Sequence, residues 1–161
     1  MIEIRKASSS DHDETWNIIR AVISLGDTYV FAPGSSKEKM LGIWFGEDRL
    51  TYVALIDNKI VGTFFIKENQ PDLGSHVANA GYMTSPTAVG KGIGKAMATF
   101  SIKEAERLGY KSMQFNIVVK SNENAISLWK KLGFEIIGEI PDAFNHHQNG
   151  LTNAYIMYRK V

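Results

Sequence analysis

The chain has 161 residues, 44% of them hydrophobic and 22% charged, the proportions of an ordinary globular domain large enough to bury a core. A formal charge of +1 provides no bulk field to draw nucleic acid or a membrane surface, and the lack of cysteine excludes disulfides, cysteine-ligated metals and thiol nucleophiles. Met1-Ile2-Glu3-Ile4-Arg5 reads as a strand and not a signal peptide, and no apolar run reaches membrane-spanning length, so residues 1–161 are expected to form one cytoplasmic domain.

Alternation over Ile2–Lys6 predicts a first strand. Ser10-Asp11 caps a helix expected to run to about Leu25, with Trp16, Ile19 and Ile23 on one face. Gly26–Gly34, rich in aromatics, reads as an exposed loop, and Ser36 opens a second helix carrying Met40, Ile43 and Trp44 at helical spacing. Thr51–Ile56 and Ile60–Lys67, joined by Asp57-Asn58-Lys59, form a predicted hairpin. A third long strand is expected over His76–Thr84. A helix follows over Gly92–Leu108, stopped by Gly109, then a strand over Lys111–Val119 and a helix over Asn122–Leu132, stopped by Gly133. Phe134–Ile140 and Leu151–Arg159 close the chain as strands, joined by a loop with His146 and His147. The order β-α-α-β-β-β-α-β-α-β-β predicts a mixed α/β sheet flanked by helices, not a doubly wound parallel sheet.

The sharpest local feature follows Thr84. After Pro86, glycines stand at alternate positions, Gly90, Gly92 and Gly94, at the start of a helix. Such a turn brings consecutive N–H groups toward one anion, the helix adds its positive end, and Lys91 and Lys95 add charge at the rim. A diphosphate is the natural ligand; a plain glycine-rich strand–helix connection is the alternative. No Gly-Lys-Ser/Thr of a Walker loop is present.

Val89-Gly90-Lys91-Gly92-Ile93-Gly94-Lys95-Ala96-Met97 resembles motif A of the GCN5-related N-acetyltransferases, whose usual form is Arg/Gln-x-x-Gly-x-Gly/Ala. Asn122–Phe134 is similar to a second motif of that family, Asn-x-x-Ala-x-x-Leu-Tyr-x-x-x-Gly-Phe, at a typical separation. The resemblance, which extends over essentially the whole chain, implies a splayed sheet gripping acetyl-CoA between the third long strand and the strand at Lys111–Val119. It implies pantetheine pairing near Met83 and Thr84, an oxyanion donor on the N–H near Met83, and pyrophosphate held by the N–H groups of Val89, Gly90, Lys91, Gly92, Ile93, Gly94 and Lys95. It places Asn122, Ala125 and Trp129 along the pantetheine channel. Acetyl-CoA is then the co-substrate, no metal is expected, and a homodimer is a family possibility.

Two positions depart from the pattern. Val89 stands for Arg or Gln, where backbone donors do most of the work. Trp129 stands for a Tyr that commonly protonates the departing thiolate; an indole N–H donates a hydrogen bond but is no useful acid. Packing beside pantetheine is its expected role, with the acid left to water or another hydroxyl.

Toward the acceptor, Asn79 and Asn116 interrupt otherwise apolar strands, where asparagine is disfavoured. They point to solvent, bridge backbone groups, or line the cleft where the sheet splays. Gln114-Phe115-Asn116, Leu128-Trp129 and Gly133–Gly138, with the spacing Asn79, Asn116, Asn122, resemble the subgroup containing the yeast acetyltransferase for azetidine-2-carboxylate and other proline analogues. That resemblance favours a small amino acid or related amine as acceptor. It assigns Asn79 and Asn116 to orienting the amine or carboxylate, with Tyr29 and Phe31 as pocket walls. Asp27 and Glu68 read as solvated surface charges, whereas His146 and His147 are candidates on a loop that reaches the acceptor side. Transfer to a protein N-terminus or lysine, and a non-catalytic acyl-CoA-binding module, are the competing readings.

Overall fold

A computed structural model describes every residue from Met1 to Val161. The strands are β1 (Glu3–Lys6), β2 (Arg49–Ile56), β3 (Lys59–Glu68), β4 (Val77–Thr84), β5 (Ser112–Val119), β6 (Glu135–His146) and β7 (Gly150–Lys160). The helices are α1 (His12–Ile23), α2 (Lys37–Trp44), α3 (Ile93–Arg107) and α4 (Glu123–Lys131). All strands join one sheet in the order β1-β2-β3-β4-β5-β7-β6, as the mixed α/β expectation required.

Local chemistry sets several boundaries. Asp57 and Asn58 both take positive φ, 50° and 62°, the geometry of a two-residue hairpin turn matched to strand twist. Ser36 caps α2 by accepting from the Lys39 N–H at 3.1 Å. At the start of α1 the Arg5 guanidinium grips Asp11 with two bonds of 2.8 Å, and the Ser8 N–H adds a third at 2.7 Å. The Arg5 contact, foremost, pulls the Asp11 carboxyl down to about 2.

Strand alternation sends neighbouring side chains to opposite faces. Phe64 packs on the α3 side with Met97, Met113, Phe115 and Trp129. Phe65 packs on the α1–α2 side with Ile19, Ile23, Met40, Trp44 and Met83. The buried Trp44 indole donates to Thr63 Oγ1 at 2.9 Å, and that hydroxyl donates on to the Tyr52 carbonyl at 2.9 Å, so no polar group of the trio is left unpaired.

One expected loop is mostly strand. Between Pro141 and Gly150 the chain stays in β6 as far as His146 and turns only at His147–Asn149. The ladder with β7 slips between Ile140 and Phe144, then resumes at Phe144↔Thr152. Pro141 lacks an N–H and Asp142 sits at φ 50°, so both fall in the irregularity, and the Asp142 N–H is taken by Asn153 Oδ1 at 3.0 Å. No helix is long and apolar enough to cross a membrane.

Candidate active site

The central strands part. β4 and β5, the one parallel pair, are in register only at Val77↔Ser112 and Ala78↔Met113. Beyond Ala78 the two strands diverge, and Asn79 Nδ2 donates to the Gln114 carbonyl at 3.0 Å at the apex of the gap. The sheet is therefore splayed where the sequence places the grip.

Backbone direction along β4 decides which groups face that gap. Ser85 N–H donates to Val61 and Asn69 N–H to Val77, both within the β3–β4 ladder. Antiparallel pairs alternate, so Met83, opposite Thr63, belongs to the hydrogen-bonded set and turns its N–H toward β3. The expectation of a Met83 oxyanion donor is corrected accordingly, and the Met83 side chain is buried on the α1–α2 side. Tyr82 and Thr84 point their peptide groups into the gap. The Tyr29 hydroxyl reaches the Tyr82 carbonyl at 2.8 Å.

A cavity of about 680 Å³ fills the gap. Its walls bring together Tyr29, Phe31, Asn79, Met83, Thr84, Val89, Asn116, Asn122, Ala125 and Trp129 from the Gly26–Gly34 loop, β4, the β4–α3 connection, β5 and α4 with its cap. The bulk of the remaining wall is apolar, including Val22, Leu25, Phe65 and Ile117. Trp129 packs into an aromatic cluster with its ring centre 4.6 Å from Phe115 and 5.0 Å from Tyr82. Asn122 Oδ1 caps α4 by accepting from the Ala125 N–H at 3.3 Å.

Gly90, Lys91, Gly92, Ile93, Gly94 and Lys95 lie outside the cavity wall and continue outward from the exposed Val89. Gly90 and Gly92 take φ of 85° and 76°, which glycine alone adopts without strain, and no atom stands where a side chain would project from either. α3 begins at Ile93, so the N–H groups of its first turn have no partner within the helix. Ile93 is 1% exposed: its side chain anchors the helix in the core and only its backbone is available outside. Lys91 and Lys95 are exposed beside this turn.

Both expected asparagines line the cavity, and each already spends one of its two amide N–H donors within the protein. Asn79 Nδ2 holds the Gln114 carbonyl. Asn116, exposed, donates to Asn69 Oδ1 at 2.8 Å and accepts from Gln114 Nε2 at 3.0 Å. Burial holds the Tyr29 and Tyr82 hydroxyls well above the usual phenol range, so both stay protonated; that of Tyr82 pairs with Ser101 Oγ at 2.6 Å.

Sequence reasoning misplaced three polar side chains. Asp27 is no solvated surface charge: it lines the cavity, and its Oδ1 is buried with no hydrogen-bond partner. Neither His146 nor His147 lines the cavity. His146 is buried and its Nδ1 accepts from the N–H groups of Gln148 and Asn149 at 3.1 and 3.2 Å, while the His147 N–H donates to the Gly26 carbonyl at 3.1 Å. A Gly-Asp pair in an aromatic loop carries no signal of where it docks, because the bond that fixes it, from the His147 N–H to the Gly26 carbonyl, comes from the far end of the chain. Glu68 is exposed at the end of β3, as expected.

A family model described as acetyltransferase (GNAT) matches residues 16–134. The N-acetyltransferase aca1 of Schizosaccharomyces pombe is 40% identical over 99 residues, covering 60% of this chain and 47% of that protein, so the match spans about half of that relative's length. A GCN5-related N-acetyltransferase from Kribbella flavida superposes with a TM-score of 0.94 at 34% identity, over 99% of this chain and 98% of that one. A phosphinothricin acetyltransferase from Sinorhizobium meliloti, solved in complex with acetyl-CoA, shares the fold with a TM-score of 0.87 at 22% identity, over 99% and 88% of the two chains.

Proposed function

The chain belongs to the acetyltransferase (GNAT) family, and from that premise we propose that it moves an acetyl group from acetyl-CoA to the amine of a small molecule. The observation that carries this reading is one continuous cavity along the open edge of β4, walled in part by the aromatic loop and reaching Val89, from which the glycine turn continues.

In this reading the pyrophosphate rests on the N–H groups between Val89 and Lys95. Pantetheine adds to β4 as a short strand, pairing with the gap-facing groups of Tyr82 and Thr84. The thioester carbonyl oxygen takes one of those two N–H groups as its donor, an interaction of the kind whose removal costs about 2.7–4 kcal/mol. The neutral amine attacks the thioester carbon, the C–N bond forms, the C–S bond breaks with its electron pair kept by sulfur, and the nitrogen's surplus proton passes to water, which returns one to the thiolate. Alignment of amine and thioester supplies several kcal/mol more. Trp129 lies beside the thiol end as packing, and no residue is assigned as its acid.

A second reading keeps an amino acid or analogue as acceptor, on the observation that Asn79, Asn116 and Asn122 all line one cavity and on the resemblance to the proline-analogue subgroup. Release of free CoA from acetyl-CoA, measured across small amines, amino acids and lysine-bearing peptides, tests the function. Turnover on a small amine is the expected outcome. Turnover confined to peptides would move the assignment to protein acetylation, and tight acetyl-CoA binding with no turnover would make the chain a binding module.

A further inference from the structure

We propose that Asp27 is the acceptor-binding carboxylate, and that it selects a primary amine with an apolar body and no carboxylate beside the nitrogen. This rests on the acetyltransferase reading and names the substrate class for the same site.

Three observations carry it. Asp27 is the only Asp, Glu, Lys, Arg or His among the cavity-lining residues. Its Oδ1 is buried without a partner, in a wall that also holds the apolar Val22, Leu25, Val30 and Phe31. An unpaired carboxylate oxygen in such a setting is costly, and an ammonium group relieves it with both countercharge and donors; the bound ammonium then gives one proton to water and attacks as the neutral amine. The second concerns what is missing for a carboxylated ligand. An amino acid would bring its own anion near Asp27, with no cationic side chain in the wall to receive it. The amide nitrogens of Asn79 and Asn116 each spend one of their two N–H donors, on the Gln114 carbonyl and on Asn69, which leaves only neutral donors for an anion. The third is rigidity. Gly26, at φ 62°, is held through its carbonyl by the His147 N–H, and Tyr29 is tied to the Tyr82 carbonyl, so Asp27 is clamped from both sides.

The test compares phenethylamine with phenylalanine and butylamine with norvaline, pairs that differ only in the carboxylate. The native chain is expected to show kcat/KM at least tenfold higher for each amine than for its amino acid. Asp27→Asn is expected to raise KM for both amines at least tenfold, with kcat within a few-fold and acetyl-CoA affinity unchanged, narrowing the amine–amino acid gap. Asp27→Glu, which keeps the charge, is expected to retain the preference. Amino acids turned over as well as the amines, or an unchanged KM in Asp27→Asn, would overturn the proposal. Calorimetric titration of both amines into CoA-saturated protein separates this from the catalytic reading. Binding lost in Asp27→Asn supports the Asp27 assignment even without turnover, and absent turnover then counts against the acetyltransferase reading alone. Equal binding to native and Asp27→Asn protein, or none to the native chain, overturns it.

Discussion

At Gly81 a single methyl group has no room. A Cβ there would stand 2.7 Å from Phe65 Cε1, 2.9 Å from Phe65 Cζ and 3.1 Å from the Tyr29 hydroxyl. Phe65 lies directly across the ladder and is itself packed edge-on against Trp44, so it has little freedom to yield. Overpacking of this kind costs about 1–3 kcal/mol. Gly81→Ala is therefore expected to lower the melting temperature by roughly 2–12 °C, at about 2–4 °C per kcal/mol for a chain of this size. It should also depress turnover, because Tyr29 holds the Tyr82 carbonyl. Gly34→Ala, where nothing lies within 4 Å, is the control and should leave both unchanged. Single residues were the least legible level of the sequence. The misfit of Asn79 and Asn116 in a strand leaves solvent, backbone bridging and the cleft open, and the structure combines them: both line the cavity, Asn79 also holds the Gln114 carbonyl, Asn116 is exposed, and these partners come from other segments. Met83 failed for a related reason: a motif places the residue, whereas the parity of the β3–β4 register determines where its N–H points.

The hairpin of β6 and β7 shows what happens at the scale of an element. Pro141 and Asp142 interrupt the strand pattern in sequence, and the slip between Ile140 and Phe144 absorbs both without ending the strand. The extension brings the His147–Asn149 turn to the Gly26 carbonyl, so the last hairpin buttresses a loop near the start of the chain. Within that turn His146 Nδ1 accepts two backbone N–H groups. His146→Leu keeps the side chain's bulk but leaves those donors without their partner, at a cost of about 1–3 kcal/mol concentrated in the turn. The expected outcome is a KM for the amine raised several-fold with acetyl-CoA affinity unchanged, since the turn touches the acceptor loop and not the glycine turn. Steady-state kinetics beside an acetyl-CoA titration checks this; an unchanged KM would mean that the loop holds its shape alone. Element order was legible throughout because it rests on periodicity and on stops such as Gly109 and Gly133, which are local. The bulged strand was not, because only pairing with β7 identifies it.

Over the whole molecule the sheet is two halves meeting at a narrow seam. β1–β4 pack with α1 and α2 on one face, and β5, β7 and β6 continue beyond the gap. The seam consists of the Val77↔Ser112 and Ala78↔Met113 pairs, the Lys111 N–H on the His76 carbonyl, and the Asn79–Gln114 and Asn116–Asn69 bonds. Aromatic contacts of Tyr82 with Phe115 and Trp129 span it beneath. A ligand that fills the cavity touches β4 on one side and β5 and α4 on the other, and so adds contacts across this seam. Ligand present at a hundredfold its dissociation constant stabilises the native state by about 2.7 kcal/mol. For this chain acetyl-CoA should then raise the melting temperature by roughly 5–11 °C. Hydrogen exchange locates the effect. Tyr82 and Thr84 amides should gain protection together with those of Ile93, Gly94 and Lys95, while Met83, already bonded to β3, should change least. A thermal shift without protection at Tyr82 and Thr84 would mean that acetyl-CoA binds outside the gap, because nothing else in the β4 ladder leaves those two amides open.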